Sequence, residues 1–126
     1  MWKKFLKFLP VLLITGCATM TSITRLTPGE APRNAKNQYL VEATFASEET
    51  ALRWDSLQCS VVADGKVVPM TPVVGLNNRW EGYVSVPPGQ TSVTYRFVFD
   101  YKLNTMGSAP RADTKISPPY TLKIVD

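Results

Sequence analysis

From Asn37 onward, apolar and polar residues alternate with a period of two. Tyr39, Val41, Ala43 and Phe45 fall on one side of the run, with Leu40, Glu42 and Thr44 on the other, the pattern of a half-buried strand. Leu57 to Ala63 and Lys66 to Met70 are two further runs, and they meet at Asp64-Gly65. That dipeptide accepts the positive φ angles of a type I′ turn and predicts a hairpin. Pro69 has no N–H to give to a ladder, which places the second arm at a sheet edge. Trp80, Gly82, Val84 and Val86 alternate with Glu81, Tyr83 and Ser85, and Pro87-Pro88-Gly89-Gln90 then turns the chain. Val93, Tyr95, Phe97, Phe99 and Tyr101 define the longest and most aromatic strand, expected at the centre of its sheet. A loop through Gly107 and Pro110 follows, and Tyr120, Leu122 and Ile124 form the closing strand. Helix is offered only by Glu48 to Leu57, where Ser47, Glu49 and Thr50 make a weak cap ahead of Ala51, Leu52 and Trp54.

About seven short strands with turn signals at regular intervals predict an all-β fold, an antiparallel two-sheet sandwich, with an up-and-down barrel as the alternative. The stretch from Trp80 through the Pro-Pro-Gly turn to Tyr95-Arg96-Phe97 and Tyr101 resembles a hairpin of immunoglobulin-like sandwiches, including fibronectin type III and starch- or glycogen-binding modules. The resemblance implies a fold and no activity.

Charge changes the picture at the N-terminus. The chain of 126 residues carries fourteen basic and ten acidic side chains, net +4, which by itself suggests a polyanionic partner. Lys3, Lys4 and Lys7, however, form a positive head before Phe8, Leu9, Val11, Leu12, Leu13 and Ile14. This apolar stretch falls far short of the ~20 residues that span a bilayer and is broken by Pro10, the pattern of a secretory signal peptide. Ile14-Thr15-Gly16-Cys17 resembles the lipobox of bacterial lipoproteins. That resemblance implies cleavage after Gly16, acylation of Cys17 and a cell-envelope protein held to the lipid bilayer through that residue. Ala18 follows Cys17 where an Asp would resemble an inner-membrane retention signal, which implies the outer membrane for a Gram-negative source. Removing residues 1–16 leaves eleven basic against ten acidic side chains, so no nucleic-acid partner is expected. Residues 17–37, with Pro28, Gly29 and Pro32, read as the lipidated Cys and a tether in which Ile23 to Thr27 can form a first short strand. Residues 38–126 read as the sandwich domain.

Histidine is absent. That removes the commonest general base and metal ligand together with every Ser-His and Cys-His nucleophile, so neither catalysis nor a cofactor or metal is expected. Cys59, the only thiol besides Cys17, is expected either to be buried and inert or to pair with another chain. Glu42, Glu81 and Asp100 lie on separate strands, and nothing in their spacing joins a catalytic pair. The remaining candidates are aromatic: Trp54, Tyr83 and Tyr120 as ligand-binding surfaces, with Trp80 expected in the core. Two functions follow. One is a non-catalytic structural or interaction module that pairs with another envelope protein through a sheet edge. The other is a glycan-binding surface lipoprotein that uses exposed aromatics.

Overall fold

The computed structural model describes residues 21–76 and 78–126, so the expected signal peptide and lipobox, with Cys17, lie outside the described residues. Ten strands follow in order: β1 (Thr21–Arg25), β2 (Glu30–Pro32), β3 (Gln38–Ser47), β4 (Leu52–Ala63), β5 (Lys66–Pro69), β6 (Thr71–Pro72), β7 (Arg79–Ser85), β8 (Ser92–Thr105), β9 (Ser108–Ile116) and β10 (Tyr120–Val125). They form two sheets of order β1-β3-β7-β6 and β2-β10-β8-β4-β5, with β9 also paired to β8. The fold is the expected two-sheet sandwich, with ten strands in place of about seven. One pair, β2 with β10, is parallel, whereas every other pair is antiparallel.

The period-two side chains build the core. Val41, Ala43 and Phe45 of β3 and Val84 of β7 face Cys59 and Val61 of β4 and Tyr95, Phe97 and Phe99 of β8, all buried. Phe45 is the aromatic hub, with ring centroids 4.8 Å from Phe99 and 5.6 Å from Tyr101. Trp80 packs edge-on against Phe99 at 6.4 Å and is half-buried at the margin of this core. The hairpin at Asp64-Gly65 is present, with φ of 50° and 74° at its two corners, and β5 is an edge strand as Pro69 requires.

Four local expectations are corrected. Residues 21–37 are no tether: β1 pairs with β3 from Thr21↔Ser47 to Arg25↔Ala43, and β2 pairs with β10, so both strands belong to the sandwich. The short strand expected at Ile23 to Thr27 is present as β1, but Ile23 and Ala31 were too sparse an apolar signal to show that β2 also joins a sheet, because an edge strand needs only one side chain against the core. Glu48 to Leu57 is not helical. Ser47 Oγ accepts the Glu49 N–H at 3.1 Å and closes a turn, after which Leu52 pairs with Leu103 and joins the ladder of β8. The presumed loop through Pro110 is β9, whose nine residues are all exposed and therefore show no alternation. Finally, Trp80 to Tyr101 is not a hairpin: β7 and β8 lie in different sheets, and the turn at Pro87, where Gln90 N–H donates to Pro87 C=O at 3.1 Å, carries the chain from one to the other.

Candidate functional site

The three aromatic candidates do not share a surface. Trp54 sits where β4 departs from register with β8, half-exposed, its ring edge-on to Phe45 at 6.0 Å. Tyr83 stands exposed on the outer face of the four-stranded sheet, opposite Leu40 of β3. Tyr120 is a packing residue: it pairs with buried Tyr95, stacks 5.9 Å from that ring and 6.0 Å from Phe97, and is covered by the Arg25 guanidinium at 4.8 Å. A glycan platform needs neighbouring exposed rings, and these strands hold them apart. Sequence reasoning misplaced Tyr120 because its strand pattern does not reveal that Arg25 of β1 closes over it.

Of the acidic candidates, Glu42 and Glu81 are brought together and Asp100 stands apart. Glu42 accepts from Arg79, with Nε at 3.0 Å, and faces Glu81 across β3 and β7. Like charges directly opposite one another are destabilising, and the Arg79 guanidinium offsets this at Glu42. Asp100, in the other sheet, accepts the Thr114 hydroxyl at 2.7 Å. An open groove of about 430 Å³ runs beside it, lined among others by Ser56, Gln58, Lys102 and Thr114. Part of its polar lining is already engaged: Ser56 Oγ donates to Arg53 C=O at 2.6 Å and accepts the Lys102 N–H at 2.8 Å. Cys59 is buried and free, 3.4 Å from the Met70 sulfur. Burial, reinforced by the Asp100 charge, pushes its thiol up to about 12, opposite to what a nucleophile requires. Among the described residues, no three His, Cys, Asp or Glu side chains are grouped to hold a metal ion.

The informative surface is main chain. Every sandwich has edges, and an unguarded edge accepts another strand. The free edge of β9 is guarded: ladder alternation from the Ser117 N–H to Phe97 C=O bond turns the N–H and C=O of even-numbered β9 residues outward. There Pro110 has no N–H, and the Thr114 N–H is taken by Asp113 Oδ1 at 2.9 Å. β2 is three residues long and ends in Pro32, and β5 is four residues long and ends in Pro69.

Two other stretches carry open main chain. One is the outer edge of β1. The other lies along β7, because Lys66–Pro72 changes sheets at Met70: β5 pairs with β4 while β6 pairs with β7 only at Thr71↔Glu81 and Pro72↔Trp80. The bonds Val73 N–H to Arg79 C=O and Val86 N–H to Asn37 C=O set the alternation on β7, which turns the N–H and C=O of Tyr83 and Ser85 toward the vacated side. This stretch opens into a trough of about 400 Å³ whose opposite wall is Val68 and Pro69, with Thr71 and Glu81 at one end. No motif in the sequence announces it, since any residue supplies the same main-chain groups.

No protein-family model matches this chain, and no curated protein matches it at a significant level. Fold and surface together define a class, a small two-sheet β-sandwich with mostly guarded edges and one edge that opens into a groove.

Proposed function

We propose that this chain is a lipid-anchored cell-envelope protein, held to the bilayer by acylated Cys17, and to the outer membrane if the cell is Gram-negative. In this reading its sandwich is a non-catalytic interaction module that takes an extended segment of a partner protein as an added strand beside β7. The observation that carries this reading is the pair Tyr83 and Ser85, whose main-chain groups face an open trough instead of a neighbouring strand. A segment laid there gains main-chain hydrogen bonds from β7 and apolar contact with Val68 and Pro69, the combination used in β-strand addition. The strand order supports an immunoglobulin-like reading of the sandwich: β1-β3-β7-β6 corresponds to A-B-E-D and β10-β8-β4 to G-F-C. The near balance of charge after residue 16 fits a protein partner better than a polyanion.

Ser85→Pro tests the edge directly, because it deletes an outward N–H and leaves the pairing with β3 intact. A photocrosslinking residue at Thr71 should capture one protein from intact cells, and Ser85→Pro should abolish that adduct without lowering the thermal midpoint. An adduct unchanged by Ser85→Pro overturns the reading. Retention on a polysaccharide column that Trp54→Ala abolishes would support glycan binding instead.

A further inference from the structure

β1 is bound firmly into the domain. It pairs with β3 along its whole length, the Leu26 N–H donates to Glu42 C=O at 3.0 Å, and Arg25 lies over Tyr120. Only three residues separate Cys17 from Thr21, a reach of at most ~14 Å. The fourteen residues of β8 span ~46 Å. A domain that long on a leash that short presents one fixed end to whatever holds Cys17.

The topology says which end. β1 starts opposite Ser47, so the end of the sandwich nearest Thr21 carries the β3–β4 turn, the β6–β7 loop and the β8–β9 hairpin. Val74, Leu76 and Met106 lie on these segments, and Trp54 lies near the start of β4 at the same end. Val74 is 98% exposed and Met106 101% exposed, each immediately before a glycine with φ above +70°. A turn needs the glycine, yet nothing in the fold needs a large apolar side chain beside it, where polar residues serve better. Trp54 adds an amphipathic ring of the kind that settles at a lipid–water boundary. Charge at this end is balanced, with Arg53, Lys102 and Arg111 against Glu48, Glu49 and Asp55, so attraction to anionic headgroups is not its basis.

We infer that this end docks on the lipid surface itself, with Trp54, Val74, Leu76 and Met106 entering the interfacial layer and the trough beside β7 left facing sideways. The inference rests on the lipoprotein reading, which supplies the anchor at Cys17. It makes the anchor and the loop tips two linked contacts, of the kind that together give stable peripheral attachment.

The test uses the full acylated protein reconstituted into zwitterionic vesicles containing brominated lipid, with a thiol-directed fluorophore at Met106→Cys or, as a control, Val67→Cys. Cys59 is buried and stays unlabelled. The label at 106 should shift to the blue and be quenched by brominated lipid several-fold more than the label at 67, and anionic lipid should not be required. Trp54→Phe should remove most of the lipid-quenched tryptophan emission of the unlabelled protein. Equal, weak lipid quenching at both positions in protein of confirmed acyl mass overturns the docking and leaves the lipoprotein reading standing. A label at 106 shielded from aqueous iodide but not quenched by lipid assigns this end to a protein partner and overturns it too. Absence of the acyl mass at Cys17 overturns both.

Discussion

Ser117 satisfies the main chain of Phe97 twice: its N–H donates to Phe97 C=O at 2.9 Å, and its Oγ accepts the Phe97 N–H at 2.8 Å. The pairing falls where β8 exchanges one neighbour for another, β10 alongside residues 92–95 and β9 alongside residues 98–105. Phe97 is fully buried, so without this hydroxyl its N–H would lie in the core with no acceptor. Pro118 and Pro119 follow at once and bring no further donors to the crossing.

Ser117→Ala is therefore expected to cost about 1–3 kcal/mol, the penalty of one buried donor left unmade. Urea unfolding of the variant against the parent measures it. A difference within error would mean that solvent reaches Phe97 N–H.

Gly82 faces Met70 so closely that a Cβ there would lie 2.8 Å from Met70 Cγ. Met70 is buried at the point where the chain leaves one sheet for the other, so it has little room to yield. Gly82→Ala should destabilise the domain by about 1–3 kcal/mol. A double-mutant cycle with Met70→Ala should show the two changes to be strongly non-additive, and simple additivity would show that the contact is not the cause.

Stability should fall as pH rises above about 9. The Cys59 thiol is pushed up to about 12 by burial and Asp100, whereas an exposed thiol ionises near 9.0. The unfolded chain thus loses its proton first, and the folded state loses up to about 1.4 kcal/mol per pH unit across that interval. Tyr95 and Tyr101, also raised by burial, act in the same direction once pH passes the ordinary tyrosine value of 10. The window from pH 9 to 10 isolates Cys59, and unfolding curves of Cys59→Ala should be flat there while the parent's decline.

Cys17→Ser should abolish incorporation of a fatty-acid probe and move the protein from the membrane to the soluble fraction. The expectation follows from the Lys3, Lys4 and Lys7 head joined to Ile14-Thr15-Gly16-Cys17. Equal labelling of variant and parent would remove the anchor from the proposed function.

Strands that bury one full face were legible in the sequence, because such a face imposes a strict period of two. Tyr39 to Phe45, Trp80 to Val86 and Val93 to Tyr101 all declare themselves this way, and Asp64-Gly65 declares its turn through φ angles few other pairs accept. Strands that bury little were far less legible: of β1, β2 and β9, the sequence anticipates only β1, as a short strand over Ile23 to Thr27. β9 exposes every residue, and β1 and β2 commit one side chain each to the core, so hydrogen bonding to a neighbour, which any residue can supply, is all that makes them strands. The same distinction governs function. Cys17 stands out in the sequence as the expected anchor because acylation requires a particular atom in a particular motif. The open edge at Tyr83 and Ser85 and the apolar end at Val74 and Met106 are made by where Met70 changes sheets and by which loops share an end with Thr21. Those are relations between residues distant in the chain, and local residue chemistry carries no record of them.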